Sequence, residues 1–189
     1  MKKLFFLIVL AVVLTVTASA HTGTNYMQDM IDAAVSGDYE AGVEAAESRN
    51  RKIDTMGLGY AKIDFDDLYW LSRLVHAEVG ADWMTDELQQ QVASVVVNRK
   101  ASEYYADTIK DVIFEQIDGT YQYQPAYSGA IYNNPSERAV LNALHVLTHG
   151  SVFDTSIVTQ SPWIYGTLHA TYRDPILGSV IYFCAIDAP

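Results

Sequence analysis

The sequence predicts an α+β protein, with helices first and a small sheet last. Three observations carry this. Between residues 63 and 149, several segments repeat apolar residues at helical spacing and begin at capping residues. After Gly150 the pattern changes to short apolar runs with strand character. Within the helical part, residues 118–134 form a stretch rich in Gly, Tyr, Gln, Asn and Pro that follows neither period.

Taken in order, the first twenty residues read as a targeting signal. Lys2 and Lys3 precede an apolar run from Leu4 to Val16, and Ala18-Ser19-Ala20 supplies the small residues of a cleavage site. The run is shorter than the roughly 20 apolar residues that span a bilayer, so no stable membrane insertion is expected after cleavage. Cleavage after Ala20 would make the protein secreted, starting at His21. Losing the two lysines takes the formal net charge from -11 to -13. So acidic a chain is repelled by phosphate backbones, which argues against a nucleic-acid partner.

Residues 21–59 read as a helical hairpin and linker. Apolar positions 27, 30, 31 and 34 form one helical stripe, Ser36-Gly37-Asp38 a turn, and Tyr39 to Lys52 a second helix. A pair this small must pack on the domain that follows, residues 60–189. There, Asp66 and Asp67 open a periodic helix over Leu68 to Val79, with Gly80 as its stop. Thr85 or Asp86 opens a second helix to about Ser102, with Leu88, Val92, Val95, Val96 and Arg99 facing inward. A shorter helix covers Thr108 to Glu115. Asp118 to Asn134 reads as a long loop, of the kind that often carries function. Ser136 caps a helix ending near His149. Strands are expected at 156–159, 168–172 and 179–186. The lone cysteine, Cys184, lies in the last of these and reads as a buried apolar residue.

Glu78 is the residue on which chemistry can rest. It follows Leu71, Leu74 and Val75 by seven, four and three positions, so it shares their apolar helix face. Burial raises a carboxyl pKa, and a carboxylic acid that keeps its proton near neutrality can protonate a glycosidic oxygen. Spacing alone equally allows a glutamate paired with arginine or turned to water. His145 and His149 share a helix face at metal-ligand spacing, with His169 as a possible third ligand, but Val146 stands where a zinc peptidase helix carries glutamate. His76 lies on another face from Glu78 and reads as structural, as do Asn98 and Arg99 at their helix end.

Two motifs, Leu71-Ser72-Arg73-Leu74-Val75-His76-Ala77-Glu78-Val79-Gly80 and Gln91-Val92-Ala93-Ser94-Val95-Val96-Val97-Asn98-Arg99, closely resemble the SleB-type cell wall hydrolase family. Tyr105 to Ile113 is similar to its next segment, and the resemblance extends over about 65–185. It implies a lysozyme-like domain with helices followed by a small antiparallel sheet. It also implies cleavage of peptidoglycan glycan strands between N-acetylmuramic acid and N-acetylglucosamine, as a glycosidase or lytic transglycosylase, on vegetative wall or spore cortex. The family's acid maps onto Glu78. Its cleft-bordering loop maps onto Tyr121, Tyr123, Gln124, Tyr127 and Ser128, and its second wall onto Val158 to Trp163, with Gln160 and Trp163 as substrate contacts. No cofactor and no metal are expected. Where many members carry Gly-Asn-His, this chain has Gly178-Ser179-Val180. The rival classes are a zinc-dependent wall peptidase or amidase using His145, His149 and His169, and a non-catalytic wall-binding module. No second carboxylate stands out among Asp82, Asp86, Asp118 and Asp154.

Overall fold

The computed structural model describes residues 25–186, so the signal segment lies outside the described residues. The N-terminal hairpin is α1 (Tyr26–Ser36) and α2 (Tyr39–Met56), capped by Asn25 and Asp38 and closed by left-handed Gly37 and Gly57. It shares one continuous hydrophobic core with the rest of the chain: Met30, Ile31, Ala45 and Ala46 pack in the same cluster as Leu68, Leu88 and Val140. The hairpin also binds through hydrogen bonds. Asn50 pinches the backbone of Ile63, donating from Nδ2 to its carbonyl at 2.8 Å and accepting its N–H at 3.1 Å. Gly42 matters here because a Cβ at that position would lie 1.9 Å from the Phe65 ring.

Three longer helices carry the body: α3 (Phe65–Val79), α4 (Asp86–Lys100) and α7 (Glu137–His149). Their caps are Asp64, Thr85 and Ser136, each accepting from a backbone N–H of the first turn. The expected inward residues Leu88, Val92, Val95, Val96 and Arg99 are all buried. Between α4 and α7 come α5 (Ile109–Phe114), a ribbon of β1 (Gln116–Ile117) and β2 (Thr120–Tyr121), α6 (Gln124–Ser128) and a 3-10 turn at Ala130–Tyr132. The expected loop over 118–134 is therefore built. Asp118 and Gly119 hold positive φ of 51° and 75°, the geometry of a two-residue hairpin turn. Pro125 starts α6.

The sheet has the order β3 (Ile157–Ser161), β5 (Val180–Ala185), β4 (Thr167–Arg173), all neighbours antiparallel. The last strand thus lies in the middle, and residues 162–166 must pass from one edge strand to the other. The crossing is tight at Gly166, where φ is +81° and a Cβ would lie 2.1 Å from the Ala185 carbonyl oxygen. Cys184 is buried on the central strand, as expected. No helix among the described residues is long and apolar enough to cross a membrane.

Candidate functional site

Glu78 sits on the last turn of α3, where helix carbonyls run out of partners. That turn is held from two sides. The buried Gln89 of α4 donates from Nε2 to the Val79 carbonyl at 3.2 Å and is itself fixed by Asn142 at 2.9 Å. His76 accepts from the Ser136 N–H at 3.4 Å, tying the same turn to the start of α7 and supporting its structural reading.

The Glu78 side chain opens on a cavity of about 490 Å³. Its floor is Gln122, Tyr123 and Gln124; its far wall is Gln160, Ser161 and Pro162 from the end of β3 with Ser179, Val180 and Ile181 from the start of β5. Size does not single this cavity out, since one of about 440 Å³ lies between α2 and the start of α3. Its chemistry does. Burial pushes the Glu78 carboxyl up to about 7. Glu78 is only half-buried by its own surface, yet most of its surroundings are protein, and the surroundings govern its proton.

Beneath the floor lies a buried cation. Arg99 is 5% exposed, and its guanidinium stands 5.1 Å from the ring centre of Tyr105 and 5.2 Å from that of Tyr123. Its Nε donates to the Val158 carbonyl at 2.7 Å, while Asn98 donates to the carbonyls of Asp154 and Ile157 at 2.8 and 3.0 Å. The end of α4 is thereby sewn to β3, the strand that continues into the cavity wall. Burial pushes the Tyr123 phenol up to about 12, with the Arg99 charge opposing and those of Glu78, Tyr105 and Glu115 adding. Tyr123 therefore keeps its proton.

Of the residues that sequence reasoning put in the site, Tyr123, Gln124 and Gln160 line the cavity with Glu78. Tyr121, Tyr127, Ser128 and Trp163 do not. Tyr121 and Tyr127 face each other at 6.5 Å outside it, and Tyr127 is 78% exposed. The reason is α6: a helical turn replaces the expected open loop and carries residues 127 and 128 outward. Trp163, 67% exposed, lies one residue past Pro162 on the crossing segment. Sequence reasoning placed the segments of Gln122 and Ser161 at the cleft without singling those residues out, and it missed Ser179, Val180 and Ile181. The departure from the family pattern at Gly178-Ser179-Val180 was a signal for two of these. Glu115, which does not line the cavity, has a buried Oε2 with no partner among the described residues.

The other carboxylates considered are engaged elsewhere or exposed. Asp86 binds Arg138 at 2.6 Å and Asn142 at 3.0 Å, Asp154 holds Ser156, Asp82 is exposed and Asp118 forms the hairpin turn. Glu78 is the one carboxylate among the described residues lining the cavity. His145 and His149 stack at 4.5 Å on the exposed end of α7, whereas His169 packs against Phe153. No three His, Cys, Asp or Glu among the described residues gather as a metal site.

Residues 85–173 match the family model described as Cell Wall Hydrolase. No curated protein and no solved structure matches the chain. Glu78 precedes the matched stretch.

Proposed function

From the membership of residues 85–173 in the cell wall hydrolase family, we propose that this protein is a secreted enzyme that cuts peptidoglycan glycan strands as a lytic transglycosylase, with Glu78 as its one catalytic acid. The carrying observation is a protonatable carboxyl, pushed up to about 7 by burial, that stands alone among the described carboxylates of its cavity. Glycosidases that use water or a covalent intermediate need a second carboxylate about 5 Å or about 6.5–9.5 Å away. A single acid can serve twice instead. Glu78 donates its proton to the oxygen linking N-acetylmuramic acid to N-acetylglucosamine, and the bond from C1 to that oxygen breaks. The carboxylate then takes the proton of the muramic acid's own C6 hydroxyl as O6 bonds to C1. The products are a free 4-hydroxyl on one fragment and a 1,6-anhydro ring on the other, with Glu78 protonated again.

Mass spectrometry of digested sacculi tests this. Anhydro-muropeptides, lighter by one water than hydrolysed ends, are expected. Exclusively reducing ends would overturn the anhydro route, and peptide cuts without glycan cuts would overturn the reading as a whole.

A further inference from the structure

Four of the buried side-chain atoms that lack a hydrogen-bond partner among the described residues belong to Arg99, Glu115, Tyr123 and Gln160, and two of these residues, Tyr123 and Gln160, line the cavity with Glu78. The atoms are the Tyr123 hydroxyl and Gln160 Oε1. Leaving such atoms unpaired costs roughly 1–3 kcal/mol each, so they persist where something else pairs them. Tyr123 comes from the floor and Gln160 from the far wall, on separate elements that Arg99 braces together through the Tyr123 ring and the Val158 carbonyl. The braced phenol keeps its proton, so it is available as a donor wherever the enzyme works.

Tyr123 and Gln160 line the same cavity, and one unpaired hydroxyl with one unpaired amide oxygen complements a secondary amide, which offers one carbonyl and one N–H. Resting on the reading of the site as a glycan cleft, we propose that Tyr123 and Gln160 read the acetamido group of the N-acetylated sugar beside Glu78. The Tyr123 hydroxyl donates to the acetamido carbonyl, and Gln160 Oε1 accepts the acetamido N–H. The pairing tolerates the alternative orientation of the glutamine amide, because the hydroxyl accepts as well as donates. A free amino sugar lacks the carbonyl and leaves the hydroxyl unpaired. Discrimination against it therefore follows from the same cost that marks these atoms.

The test compares the wild type with Tyr123→Phe and Gln160→Leu on native sacculi and on sacculi chemically N-deacetylated. Deacetylation adds positive charge, which an acidic protein attracts, so the deciding quantity is how each substitution changes the ratio of the two rates; the shared charge effect cancels. We expect the native-to-deacetylated ratio to fall by about tenfold or more in each variant, with native activity lowered and the deacetylated rate nearly unchanged. Equal losses on both walls would overturn the proposal and leave the side chains as packing. Binding provides a second reading independent of turnover. Glu78→Gln should bind N-acetylglucosamine oligomers, and adding Tyr123→Phe should weaken that binding while leaving binding of glucosamine oligomers unchanged. An equal effect on both oligomers would likewise overturn it. Wild-type protein that leaves glycan strands uncut yet shows the binding difference would instead sink the catalytic reading alone.

Discussion

Arg99 stands 5.2 Å beneath the ring centre of Tyr123, so a buried cation supports the floor on which Glu78 opens. The same guanidinium holds the Val158 carbonyl at 2.7 Å, and Val158 is two residues from Gln160 in the far wall. Floor and wall therefore share one brace, a residue that lines none of the cavity.

Replacing Arg99 should show this. Arg99→Lys keeps the charge but loses the planar group that lies between two tyrosine rings and fixes the Val158 carbonyl. Stability should fall by about 2–3 kcal/mol, seen as a lower midpoint in denaturant unfolding. Turnover per folded molecule should fall as well, because floor and wall lose their common support. A variant that is destabilised but fully active when folded would show that the brace does not set the cleft.

Glu78→Gln removes the titratable proton and keeps the shape. Activity on purified peptidoglycan should drop by about 100-fold or more. In the wild type, activity should decline as pH rises through about 7, the region where the carboxyl loses its proton. Near wild-type activity in the variant, or a wild-type rate that climbs steadily through neutrality, would remove Glu78 from the acid's role.

Stability should follow the same group with a definite sign. The folded carboxyl sits at about 7, above the ordinary 4.5, so the folded protein binds more protons than the unfolded chain between those values. This contribution is fully present below about 4.5 and is lost as pH rises through 7, up to roughly 3 kcal/mol across that interval. Glu78→Gln should flatten that slope, so the variant gains stability relative to the wild type toward alkaline pH. Parallel unfolding curves at several pH values, with no difference in slope between the two proteins, would count against a buried acid.

Gly166→Ala tests the crossing of the sheet. Positive φ and the Ala185 carbonyl at 2.1 Å from the added Cβ both oppose it, so the segment between β3 and β4 must shift. A loss of about 2 kcal/mol or more is expected in thermal or denaturant unfolding. Gly129→Ala provides the contrast, since φ is +82° there but nothing lies within 4 Å of the Cβ. Its loss should be smaller, reflecting backbone strain alone. Equal losses at the two positions would mean that the close approach to Ala185 contributes nothing.

The sequence by itself determined the longer helices and the apolar face that Glu78 shares. Apolar spacing with Thr85 and Ser136 at helix starts is a short-range code that α4 and α7 obey, whereas α3 starts earlier than Asp66 and Asp67 suggested, at the cap Asp64. Glu78 could be picked out because helical periodicity assigns a face, and that face is buried for Leu71, Leu74 and Val75. The Asp118-Gly119 turn was not read, because its aromatic and polar neighbours made the whole stretch look like loop. Only the tertiary structure decided which residues share the cavity. Strand order depends on pairing between distant segments, and nothing in the alternation of residues 157–185 says that β5 inserts between β3 and β4. That insertion sets Ser179 and Ile181 beside Gln160. The roles of Arg99 and Tyr123 are likewise relations between α4, the floor segment and β3: a sequence states that a residue is cationic or aromatic, but the brace exists only once the fold buries the guanidinium against the Tyr105 and Tyr123 rings and the Val158 carbonyl.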